Sequence, residues 1–273
     1  MNPVTKPDRA RLIRWLDEQV ARFEQPAFIE NDPISVPYAF EDPQDRAIIG
    51  FFAASLAWGQ RKTTLNKMAE LCERMAYRPM KFVYDFRIEK DAATLKGFKH
   101  RTFTEDDAYW MVLSLSVLIR KYGGIEHVFR RFMTPNASDV GPVIQGFSSE
   151  MMYAVSGIPA RLQKHLARPD AGSACKRLNM FLRWMVRTGS VDFGIWKGIR
   201  SDQLVMPLDV HVGRVARQLG MLFRPTNDWK SALELTEFCR ILSPHDPVRY
   251  DFALFGWGVS EKNGGLPNLM LPE

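Results

Sequence analysis

The apolar positions of this chain recur every three to four residues, and alternation in steps of two is nearly absent. That spacing predicts helices rather than strands. Residues 8–23 carry Leu12, Ile13, Leu16 and Val20 along one side. Asp42-Pro43 has the cap-then-proline signature of a helix start, and the helix is expected to run through Ile48, Phe51, Phe52 and Leu56 to Trp58-Gly59. A third helix is expected from Lys62 to Met75. Thr104-Glu105-Asp106 caps a long apolar helix, Ala108 to Tyr122, which Gly123-Gly124 stops. Two or three shorter helices fit residues 125–165, and two closing helices fit 229–241 and 247–257. The pattern as a whole predicts an all-α fold of about ten or more helices, with chain ends that pack together.

Two further stretches combine a helix start with a charged group. Residues 168–176 read RPDAGSACK, a Pro-Gly-Ser turn in which Ser173 is a good N-cap for the next helix. That helix carries Leu178, Phe181, Leu182, Met185 and Val186 as a core stripe, which places Lys176 in its first turn. The helix dipole disfavours a cation there by about 0.3–1 kcal/mol; a solvated lysine is the plain reading. Residues 205–220 read VMPLDVHVGRVARQLG, with Val212, Val215, Leu219 and Leu222 directed to a core and Asp209 at the helix start. Capping accounts for Asp209 by itself, at about 1 kcal/mol. Helix starts gathered in one place also make a floor suited to anions, phosphate above all.

Composition narrows the classes. The 273 residues are 46% hydrophobic and 25% charged, with 37 basic against 31 acidic side chains and a net charge of +6. That balance suits a globular protein and permits a polyanionic partner. The opening residues MNPVTKPDRA have no apolar secretory core, and the longest apolar run, Ile48 to Trp58, is too short to span a bilayer. A cytoplasmic protein without membrane contact is expected. Cys72, Cys175 and Cys239 are far apart and odd in number, so neither a disulfide framework nor an iron–sulfur cluster can be built from them. No cofactor and no metal are expected.

The two charged stretches together carry a resemblance. PDAGSACK followed by an apolar helix, then MPLDVHVGRVARQLG, resembles the helix-hairpin-helix DNA glycosylase superfamily, and SLAWGQRKTTLNKMAEL (residues 55–71) resembles its early "apolar helix, then Gln" segment. In detail the chain resembles the family designated DUF2400 and, among enzymes, the archaeal-type 8-oxoguanine DNA glycosylases. Two departures stand out. The interval from Lys176 to Asp209 is longer than in endonuclease III relatives and close to that of the archaeal type, and Ala174 occupies the usual second hairpin glycine.

The resemblance implies a two-lobed helical bundle, with a central bundle at 44–165, hairpin and aspartate helix at 166–222, and 1–43 packing with 223–273. It implies a monomeric base-excision enzyme that flips a damaged base out of duplex DNA, with 8-oxoguanine the first base to test, and that has abasic-site lyase activity. Lys176 would attack sugar C1′ as a neutral amine, which calls for a partly dry setting. Asp209 would stabilise the oxocarbenium-like charge, kept ionised by the N–H groups it caps. Gln60, Met180, Phe181, Asp251, Phe255 and Trp257 are the candidates for the base pocket. Gly172, Ser173, Ala174, Arg214 and Arg217 are the candidates for the DNA backbone. Core packing, helix capping and a solvated face are their respective plain roles.

Two other classes compete. A non-catalytic nucleic-acid-binding protein would keep the scaffold without the chemistry. A metal phosphohydrolase would use His245-Asp246 with His211 and Asp251, but Pro244 and Pro247 put the pair in a turn where that chemistry wants a helix.

Overall fold

A computed structural model describes residues 8–134 and 136–260; the first seven and last thirteen positions of the two end segments lie outside the described residues. Every regular element among those described is helical, joined by three isolated backbone bridges. The chain divides into two compact units.

One unit comprises Ile29–Arg168 and Ile195–Ile199. Asp42 caps its first long helix, Pro43–Ser55, by accepting from the N–H groups of Gln44 (2.8 Å) and Asp45 (3.0 Å). Ile48, Ile49, Phe51 and Phe52 are fully buried along it. The helix ends at Ser55, short of Trp58 where periodicity carried it. Tertiary packing is the reason: the Trp58 ring stacks on His165 with centroids 5.7 Å apart, and its carbonyl meets His100 Nε2 at 3.2 Å. Arg61–Arg74 follows. Glu105–Tyr122 has a capping box formed by Thr104 and Asp107, and Gly123 stops it at φ 88°, a conformation glycine adopts without strain. Phe129 and Phe147 stack at 3.8 Å, joining Ile125–Arg130 to Gly141–Tyr153. Residues 195–199 return to this unit because the Lys197 and Gly198 N–H groups both donate to Glu126 Oε1 at 3.1 Å.

The other unit comprises residues 8–28, Pro169–Gly194 and 200–260. Its helices are Arg9–Phe23, Lys176–Val186, Val210–Gln218, Trp229–Leu242 and Asp251–Ser260. The first and last lie together: Trp15 and Trp257 meet edge-on at 5.2 Å, and Gly256 leaves room for the Phe23 ring. His211 Nδ1 (3.2 Å) and Arg214 Nη2 (2.8 Å) both meet the Gly258 carbonyl. Leu178, Phe181, Leu182, Val212, Val215 and Leu235 form the core beneath.

Candidate functional site

The two charged helix starts lie in this second unit. The turn before Lys176 is anchored on both sides: the Gly172 N–H donates to Pro169, the Gly172 carbonyl accepts from the Trp229 N–H at 3.2 Å, and Ser173 bridges to Asp228. The expected cap is displaced. Lys176–Val186 begins after Cys175, which occupies the N-cap position in the left-handed region at φ 50°, and Ser173 Oγ accepts the Cys175 N–H instead. The Ser173–Asp228 bridge holds Ser173 out of the cap position. Asn179 Nδ2 reaches back to the Ala174 carbonyl at 3.0 Å and closes the turn. Upstream, Ala160–Lys164 is a single 3-10 segment.

Asp209 caps Val210–Gln218, accepting from the His211 (2.8 Å) and Val212 (3.0 Å) N–H groups through Oδ1. Its other oxygen, Oδ2, lies 3.9 Å from Lys176 Nζ, with about a quarter of each side chain exposed. The Lys176 amine also stands 3.2 Å from Met180 Sδ and 5.9 Å from the centre of the Phe255 ring. The amine therefore meets a carboxylate on one side, stands near a thioether and an aromatic ring, and remains partly exposed.

Asp251 is the third charged member. Buried at the start of Asp251–Ser260, it accepts from Arg183. Burial pushes its carboxyl up to about 6; Arg183 and Lys176 work against that shift, and Asp209 adds to it. Lys176, Asp209 and Asp251 thus share one electrostatic neighbourhood.

Sequence reasoning missed what lies behind this group. Arg183 also reaches Asp192, with Nη2 at 3.0 Å, and stands 4.1 Å from the Phe252 ring. Arg187 gathers Glu24 (2.6 Å), Asp192 (2.9 Å) and Asp246 (2.8 Å). Lys176, Met180, Arg183 and Arg187 are spaced i, i+4, i+7 and i+11, so they form a stripe on one helix face. That stripe was visible in the sequence, but a charged stripe on an amphipathic helix ordinarily reads as a solvated face.

The remaining candidates fall in several settings. Trp257 packs on Trp15, Phe181 is fully buried in the core, and Met180 is buried beside the amine. Gly172 is exposed at φ 76° with open space around it, whereas Ala174 is buried. Arg214 holds the end of the closing helix, and Arg217 holds the 224–227 loop through the carbonyls of Arg224 and Thr226 and the Asn227 side chain. Gln60 belongs to the other unit, exposed at the N-cap of Arg61–Arg74 without a side-chain cap bond. His245 is exposed in a turn, and Asp246 beside it is turned onto Arg187. All three cysteines are buried thiols, and burial pushes Cys72 and Cys175 up to about 12, which leaves them poor nucleophiles.

Fold and site together define an all-α protein with an amine–carboxylate pair set between two helix starts and backed by buried arginines. The chain belongs to the family described as protein of unknown function (DUF2400), whose model matches residues 32–260. No curated protein and no solved structure matches it. No helix among the described residues is long and apolar enough to cross a membrane.

Proposed function

We propose that the protein is a DNA base-excision glycosylase of the helix-hairpin-helix type with associated abasic-site lyase activity, acting on a base flipped out of duplex DNA. The single observation that carries this reading is the 3.9 Å separation of Lys176 Nζ and Asp209 Oδ2.

The chemistry follows from those two groups. With its proton removed, the Lys176 amine forms a bond to sugar C1′. The bond to the base breaks, and its electron pair leaves on the base nitrogen, which takes up a proton. Positive charge grows on the sugar during this step, and an adjacent carboxylate stabilises it. Asp209 also accepts the proton that the attacking amine sheds. Ring opening then leaves a protonated Schiff base on Lys176, which makes loss of the 3′ phosphate possible. A thioether and an aromatic ring stand beside the amine. 8-oxoguanine is the first base to test, on the strength of the resemblance to the archaeal-type enzymes.

The test is borohydride trapping on duplexes carrying 8-oxoguanine, uracil, an alkylated base or an abasic site. A covalent adduct with wild type, absent in Lys176→Gln while duplex binding persists, is the expected result. Duplex binding with no cleavage and no adduct across the panel overturns the catalytic reading in favour of a binding protein. An adduct that survives Lys176→Gln overturns the lysine assignment.

A further inference from the structure

The unit built from Ile29–Arg168 contains a groove of about 960 Å³ with five cationic side chains in its lining, Arg78, Lys81, Arg87, Lys90 and Arg120, against two carboxylates. Both carboxylates have partners. Asp85 pairs with Lys81 at 2.5 Å, and Asp91 Oδ2 accepts the Arg87 backbone N–H at 2.9 Å. Arg120 donates to the Tyr84 carbonyl at 3.3 Å. Among the described residues no carboxylate lies within ion-pair distance of the Arg78, Arg87 or Lys90 side chains; Arg78 precedes the helix Pro79–Tyr84, and Arg87 and Lys90 share the single turn at 87–91.

With five cations against two carboxylates the groove is cationic, and a cationic concavity concentrates anions from solution. Two of the three unpaired cations are guanidinium forks, the group best matched to phosphate oxygens. Phe82 is half-buried in the lining, and Tyr84, 47% exposed, adds a second aromatic ring. Aromatic faces beside phosphate-binding cations suit a base attached to its phosphates. The volume falls within the range of small-ligand sites.

We propose that this groove is a binding site for nucleotide phosphates, with Arg78, Arg87 and Lys90 on the phosphates and the Phe82–Tyr84 side facing the base. The site goes beyond the lysine chemistry and stands independently of it. Its ligand is either a free nucleotide or the backbone of a single strand, which share this chemistry.

Calorimetric titration of the full chain distinguishes them. The probes are ATP, inorganic pyrophosphate and a single-stranded oligodeoxynucleotide of about ten residues, at about 50 mM and about 200 mM salt. At least one probe binds wild type, and the Arg78→Gln/Arg87→Gln double variant weakens it by about tenfold or more, equivalent to about 1.4 kcal/mol. Lys99→Gln, an exposed lysine outside the groove lining, binds as wild type. ATP binding that pyrophosphate matches only weakly assigns a free nucleotide. Oligonucleotide binding that ATP does not displace, with affinity falling by about 0.7 log units per log unit of salt for each phosphate held, assigns a strand. Failure of all three probes, or equal binding by the double variant, overturns the site. Borohydride trapping is unaffected by the double variant and groove binding is unaffected by Lys176→Gln, so the two proposals fail separately.

Discussion

Arg183, midway along the Lys176–Val186 helix, donates to Asp251, the first residue of the closing helix. This buried pair ties the helix that carries the amine to the helix that carries Phe255, and Asp251 is the carboxylate that burial pushes up to about 6. An unfolded aspartate titrates near about 3.9. The folded state therefore binds more protons between those two values, so stability falls as pH rises toward 6 and levels off above it. From about pH 4 to about pH 7.5 the stability of wild type relative to Asp251→Asn, read by urea unfolding, is expected to fall as pH rises. An unchanged slope in the variant would assign the pH dependence elsewhere.

Arg187 holds three carboxylates from separate parts of the chain: Glu24, Asp192 and Asp246. Removing the shared cation leaves buried negative charges facing one another. Arg187→Met is expected to destabilise the protein by about 3–5 kcal/mol, read as a lower urea midpoint. Arg187→Lys recovers only part of the loss, because an ammonium lacks the planar fork that serves several carboxylates at once.

Asp209 combines a cap with a carboxylate 3.9 Å from an amine, and substitution separates the two roles. Asparagine is as good an N-cap as aspartate, whereas alanine gives up about 1 kcal/mol of helix stability. Asp209→Asn should melt within about a degree or two of wild type yet lose the proposed base-release activity by about a hundredfold or more. Activity that survives in Asp209→Asn but falls in Asp209→Ala would leave Asp209 as a cap alone.

The contact between the first and last helices depends on Gly256. A Cβ there would stand 2.3 Å from Phe23 Cγ, closer than any real contact. Gly256→Ala is expected to destabilise by about 1–3 kcal/mol, and Gly256→Ala with Phe23→Leu should recover part of that. Thermal melts of the two variants check both the clash and its relief.

Much of the helical skeleton was legible because its signals are local. Asp42-Pro43, the Thr104–Asp107 box, Gly123 and the Asp209 cap each act within about one turn of backbone, so their residue types determine the outcome wherever the helix ends up. The same locality placed Lys176 and Asp209 each at a helix start. Three details went the other way, each because a distant partner outcompeted local preference. Trp58 leaves its helix to stack on His165, Ser173 gives up the cap to bridge Asp228, and Arg183 and Arg187 turn an ordinary charged stripe into a buried network.

By itself the sequence determined the all-α class, the principal helix starts and the placement of an amine and a carboxylate at two of them, since periodicity and capping are short-range. Only the tertiary structure decided that the two groups stand 3.9 Å apart, that Asp251 joins them on Arg183, and that Arg78, Arg87 and Lys90 line one groove. Proximity between residues tens of positions apart is set by how apolar faces pack, and no local pattern encodes that distance.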